Sequence, residues 1–280
     1  MDQKIYLGAA YYPELWDESE VEKDIARCKE LGVNCLRVGE FAWSKMEPKE
    51  GKYDFAWLLR VVEKLHENGI ATVMCTPTCT PPRWMLNKYP EMRRVMPDLI
   101  KSDVSSRCHV CKSSPIARKK NVQIVTEMAK VFAGYKGIIG WQIDNEIFPY
   151  GDGCFCENCK KGFRSYLKEK FGSAEKLNKA WGMARWSLDY NSFEEVEPPY
   201  PNQWRHPSLQ KAWWDYQCVL IKSFTDEQAQ ILHNYGCGNV GTDMMAQNYL
   251  DYYAVNEKLD VVQYNHYDTA DRLYTNAFAY

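Results

Sequence analysis

A short apolar run followed by a longer amphipathic segment recurs along the chain, and two of the amphipathic segments close on glycine. IYLGAAYY (5–12) precedes a helical pattern from Glu18 to Leu31 that Gly32 ends, and NCLRVGEFAW (34–43) precedes YDFAWLLRVVEKLHENG (53–69). ATVMCTPT (71–78) comes next, and IIGWQIDNE (138–146) follows an apolar-periodic stretch from Pro115 to Phe132. NVGTDMM (239–245) and LDVVQYNHY (259–267) complete the series, with helical patterns from Leu209 to His233 and from Asn248 to Lys258. Strands joined through helices run parallel, because each return crosses the sheet before the next strand begins. Six strand-plus-helix units are present, the last reaching Tyr280. A closed (β/α)8 barrel needs two more.

With 280 residues, 45% of them apolar, the chain has material for one large core. A net charge of -2 with no run of like charges excludes a basic nucleic-acid or membrane-surface patch. The N-terminus, MDQKIYLGAAYYPELW, lacks the basic and apolar segments of a signal peptide, so the expected location is cytoplasmic. Eleven cysteines, an odd number, make a poor disulfide framework; Cys28, Cys35, Cys75 and Cys218 sit alone in apolar segments as small hydrophobes. Residues 187–207, rich in Pro, acidic and aromatic side chains, are expected to form an irregular excursion between the fourth and fifth units.

Several strands finish on polar or aromatic residues: Glu40, Thr76, the Asn145-Glu146 pair, and Asn265 with Tyr267. In a β/α barrel the carboxyl ends of the strands form the reactive face. A carboxylate directly after an apolar strand is expected to lie against an apolar wall, where it stays protonated near neutrality and can serve as a general acid. That places the reactive group at Glu146. Just beyond it, Cys154, Cys156 and Cys159 fall within six positions, and Cys108 and Cys111 form a C-x2-C earlier in the chain. Spacing alone leaves two ways to complete four thiolates around a zinc ion: both early cysteines with Cys156 and Cys159, or one of them with all three late ones.

YYPELW (11–16), LRVGEFAWSKMEPKEGKYDFAWL (36–58), TPTCTPPRWM (76–85), SRCHVCKSSP (106–115), GWQIDNE (140–146), CFCENCKKGFRSYL (154–167) and LNKAWG (177–182) together resemble, in that order, the glycoside hydrolase family 42 β-galactosidases. The resemblance implies an α/β fold, a (β/α)8 TIM barrel truncated here after about six units, with residues 1–280 forming one catalytic domain incomplete at its C-terminus. It implies a retaining β-galactosidase in which Glu146 matches the acid/base, Asn145 the residue that binds the sugar 2-hydroxyl, and Arg107 an arginine of the glycone subsite. Tyr267 matches a tyrosine that supports the nucleophile, although the family's Asp-x-Tyr reads Asn265-His266-Tyr267 here. The nucleophilic glutamate of the family closes a seventh strand, so no nucleophile is expected among these residues and the 280-residue chain alone is expected to be inactive. Glu40 closes the second strand and is expected to lie far round the barrel from that position. For the metal the resemblance implies a structural zinc held by Cys111, Cys154, Cys156 and Cys159, with Cys108 outside. It also implies a β-galactoside substrate and a homotrimer of the full-length protein. Two other functions fit the same residues: a related barrel glycosidase acting on another β-linked sugar such as an arabinoside, and a non-catalytic carbohydrate-binding degenerate barrel.

Overall fold

The computed structural model describes residues 4–103, 107–149, 152–201, 204–245 and 250–265. Strand β1 (Gly8–Ala10) leads into helix α1 (Glu20–Glu30), β2 (Cys35–Val38), the short α2 (Trp43–Met46), α3 (Ala56–Glu67) and β3 (Ala71–Cys75). Next come α4 (Arg83–Lys88), α5 (Pro115–Phe132), β4 (Ile138–Gln142), α6 (Glu157–Phe171), α7 (Ala174–Trp181) and the long α8 (Pro207–Asn234). Strands β5 (Val240–Gly241) and β6 (Asp243–Met245), helix α9 (Tyr252–Asn256) and strand β7 (Gln263–Asn265) complete the described fold. Helix α3 shows why such segments fold as they do: Trp57, Leu58, Val61, Val62 and Leu65 make one buried stripe at helical spacing. Helix α5 starts where Ser114 accepts the Ala117 N–H at 3.4 Å and Pro115 occupies a first-turn position that needs no donor.

All strand pairings are parallel, in the order β1-β2-β3-β4-β5, with β6 paired to β7. Only Thr242 separates β5 from β6, so one stretch of chain pairs with β4 on one side and then with β7 on the other. The Thr242 hydroxyl donates to the Ile143 carbonyl at 2.7 Å and bridges the change of partner. The expected sequence of strands is therefore found, with each strand shorter than its apolar run. The main core lies between sheet and helices and includes Val38, Trp43, Leu58, Met74, Ile124, Phe132 and Trp141. A second core, around Phe155, Phe163, Leu177, Trp213 and Tyr216, joins α6, α7 and α8. Among the described residues of 182–206 the only helical turns are the 3-10 turns Arg185–Ser187 and Phe193–Glu195, in keeping with the irregular excursion expected there. Among the described residues no helix is long and apolar enough to cross a membrane.

Candidate active site and thiol cluster

Gly39 follows β2 with φ +89°, where a Cβ would stand 3.1 Å from the Met46 Cε and 3.2 Å from the Cys75 carbonyl oxygen, so glycine fits there, and it delivers Glu40 to the carboxyl end of the sheet. Glu40 is 1% exposed. Its Oε2 accepts from the Tyr12 hydroxyl at 3.0 Å and from Arg37 Nη2 at 3.2 Å. Its Oε1 accepts from Gln142 Nε2 at 2.9 Å. Tyr12 is pushed up to about 12 by burial and by the neighbouring Glu40 charge.

At the end of β4 the backbone turns sharply. Asp144 and Glu146 both have left-handed φ values, 56° and 47°, and Cys108 beside Arg107 has 59°. Such angles cost about 1 kcal/mol or more for a residue with a Cβ. Each is held by a hydrogen bond from its own N–H: Asp144 to Thr76 Oγ1 at 2.9 Å, Glu146 to Asp243 Oδ1 at 2.8 Å, and Cys108 to the Cys79 carbonyl at 2.8 Å. The Asp144 carboxylate itself accepts from Thr78 Oγ1 at 2.6 Å.

Glu146 does not meet the apolar wall expected of it. Arg107 Nη2 donates to its Oε2 at 2.6 Å and Asn265 Nδ2 to its Oε1 at 3.0 Å. Sequence order hid this because the arginine lies 39 residues upstream and the asparagine 119 downstream. Asn145 suits its neighbours with its amide nitrogen toward Glu40 Oε1 at 2.7 Å and Asp243 Oδ2 at 3.3 Å, and its oxygen accepting from Arg107 Nη1 at 2.6 Å. Glu146, Asn145 and Arg107 are thus brought together. Glu40 joins the same network through the Asn145 amide. Tyr267 lies outside the described residues.

Asp243, Arg37 and Gln142 belong to the site although the sequence did not mark them. Arg37 Nη1 donates to Gln142 Oε1 at 2.7 Å and stands 3.5 Å from Asp243 Oδ2. Burial holds the Asp243 carboxyl up to about 7, with Glu40 and Asp144 pushing the same way and Arg37 opposing. The available signal was a charged residue in the middle of an otherwise apolar strand, in CLRV and again in NVGTDMM. In a barrel such a side chain faces the interior.

The Sγ atoms of Cys111, Cys154, Cys156 and Cys159 all lie within 4.8 Å of one another, so this buried group could hold a metal ion. Cys108 is not in it, which removes the alternative pairing that spacing had left open. The Cys111 sulfur is 3.5 Å from that of Cys156 and 3.4 Å from that of Cys159. Four thiolates at about 2.3 Å from one tetrahedral ion stand about 3.8 Å apart. Backbone N–H groups point at two sulfurs, Val95 to Cys154 at 3.4 Å and Ser113 to Cys111 at 3.3 Å. The thiol of Cys156 is lowered by the hydrogen bonds it accepts from Cys111, Cys154 and Cys159, while those of Cys111 and Cys159 are raised.

Parallel strands wrapped by helices, with carboxylates, amides and guanidinium groups converging at the strand carboxyl ends, define a β/α-barrel protein whose reactive face is acidic and hydrogen-bonded. The chain belongs to the beta-galactosidase family Glyco_hydro_42, whose sequence pattern matches residues 10–278. It is 40% identical over 266 residues to beta-galactosidase YesZ of Bacillus subtilis, an alignment covering 95% of this chain and 40% of that protein. Among solved structures, the beta-galactosidase of Bacillus circulans sp. alkalophilus superposes with a TM-score of 0.92 at 29% identity, over 98% of this chain and 42% of that one. The beta-galactosidase of the psychrophilic Marinomonas ef1 gives 0.89 at 31% identity, over 96% and 43%. The chain therefore spans about 40% of the length of the curated relatives it matches.

Proposed function

We propose that these residues supply the acid/base side of a retaining β-galactosidase, with residues 1–280 as its catalytic-barrel segment. The observation that carries this reading is Glu146 at the end of β4 with Asn145 beside it and Arg107 across its carboxylate, in a chain of the beta-galactosidase family. In retaining hydrolysis one carboxyl group protonates the leaving oxygen and then deprotonates water, while a second attacks the anomeric carbon. Glu146 takes the first role. Asn145 and Arg107, already joined to each other and to the Glu146 surroundings, take the sugar hydroxyls of the glycone, Asn145 the 2-hydroxyl. Glu40 is poorly suited to be the second carboxylate, because both its oxygens are filled by Tyr12, Arg37 and Gln142 and it is almost fully buried. The family resemblance points instead to a seventh-strand glutamate.

Zinc is the ion that four thiolates suit, and a sphere closed by four protein ligands leaves no place for water, so its role is structural. It would join the segment containing Arg107 to the segment after Glu146. Arg94 already bridges those segments and supports this, donating from Nη1 to the Cys108 carbonyl at 3.3 Å and from Nη2 to the Gly153 carbonyl at 3.1 Å. A four-thiol site also favours the reducing cytoplasm.

The test is Glu146→Gln in the full-length enzyme. General acid help is worth about 10²–10⁴-fold, so lactose-like substrates should lose activity on that scale while aryl galactosides with good leaving groups lose less. Azide should restore turnover by attacking the glycosyl intermediate. Equal losses on both substrates without azide rescue would remove Glu146 from the role.

A further inference from the structure

Three hydrogen bonds close a ring around Glu146. Its N–H donates to Asp243 Oδ1 at 2.8 Å, its Oε1 accepts from Asn265 Nδ2 at 3.0 Å, and the same amide nitrogen donates its second hydrogen to Asp243 Oδ2 at 3.2 Å. One buried carboxylate on β6 thereby grips both the backbone and, through Asn265 on β7, the side chain of the residue at the end of β4. We propose that Asp243 and Asn265 form a positioning clamp that sets both the orientation and the proton affinity of Glu146. This rests on the acid/base reading of Glu146 and deepens it.

Two features argue that the clamp does more than hold the barrel together. The Glu146 backbone sits at φ 47°, an angle that needs support, and Asp243 supplies the acceptor for its N–H. Asn265 is also chemically particular. An amide can donate to two carboxylates at once, whereas an aspartate at this position could donate to neither while ionised and would add a third negative charge. The charged groups around the ring are Arg107 on Glu146, Arg37 beside Asp243, and Glu40 and Asp144, whose charges also act on Asp243. Tyr12 is bonded to Glu40. Neither clamp residue needs to touch the sugar; both act through Glu146.

The ring makes a directional prediction. A donor on Oε1 favours the carboxylate form of Glu146, so its removal should move the basic limb of the kcat/KM profile to higher pH. In the full-length enzyme assayed with an aryl β-galactoside, Asn265→Ala should move that limb upward, and Asn265→Asp should move it further, by about one pH unit or more. Asp243→Asn places an amide against the Asn265 amide and should lower kcat by about tenfold to a hundredfold, with little change in KM. If Asp243→Asn does not fold, the two Asn265 variants, on a partly exposed side chain, carry the test. Glu146→Gln is run alongside. If it loses the basic limb and both Asn265 variants keep the wild-type limb, the clamp is wrong while the role of Glu146 stands. If Glu146→Gln retains the limb, the acid/base reading itself fails and the clamp falls with it.

Discussion

Asp243 is an aspartate in a central strand, 2% exposed, with its carboxyl held up to about 7 against an ordinary value of 3.8. The sign of its effect on stability follows. Between those two values the folded state keeps a proton that the unfolded chain has lost, so this group makes stability fall as pH rises from about 4 to about 7, and it adds no further slope above that. The amplitude is on the order of a few kcal/mol. Asp243→Asn should therefore flatten that part of the stability curve, and urea unfolding at pH 5 and pH 8 checks it: an unchanged difference between the two pH values would place the titration elsewhere. The residues around Asp243 divide by what a linear sequence can display. Asn145 and Glu146 announce themselves as polar residues ending an apolar strand, and Arg107 lies in a motif that survives as a string. Arg37, Gln142 and Asp243 act through the inward direction of their side chains and through neighbours about a hundred residues away, which only the closed sheet reveals.

At the scale of elements, α5 was readable to the residue, because Ser114, Pro115 and the glycine at 134 with φ +73° mark both ends chemically. Helices α6 and α7 were not read as helices. Their buried residues, Cys159, Phe163 and Leu167 in α6 and Leu177 in α7, make a narrow stripe among many lysines and glutamates, and that stripe packs on α8 rather than on the sheet. The division of a single strand pattern into β5 and β6 was equally invisible, since Thr242 breaks pairing without breaking the extended sequence pattern. The thiol cluster governs how these elements meet: Cys111 stands just ahead of the α5 cap, Cys156 is the N-cap of α6, and Cys159 lies in its first turn. Cys156→Ser should lower the Tm of the full-length protein by on the order of 5 °C or more and reduce bound zinc, while leaving the limbs of the pH-rate profile in place. Metal analysis with calorimetry checks this. A variant with full stability and no metal would show that the loops need no ion.

Across the whole molecule, β1 pairs with β2 alone and β7 with β6 alone among the described residues, which leaves two strand edges open. The neighbouring apolar side chains are exposed: Ile5 83%, Leu7 56%, Val262 69% and Tyr264 57%. Open parallel edges flanked by apolar surface invite association. With the nucleophile assigned to a later strand, residues 1–280 produced alone should associate in solution and show no turnover of an aryl β-galactoside. Light scattering and an assay of the fragment, alone and mixed with the downstream segment, check both expectations; robust turnover by the fragment alone would mean that a carboxylate within it serves as nucleophile.

The thiol cluster joins Cys111 to three partners between positions 154 and 159, and the chain so enclosed contains the whole of α5 and the whole of β4. A ribosome delivers Cys111 first and Cys159 last, with a helix and a central strand to be settled in between. With the structural role proposed for it, an ion bound there would act at the birth of the protein rather than in its working cycle. A cell starved of that ion would make fewer competent molecules, and each molecule that did mature would work at its normal pace.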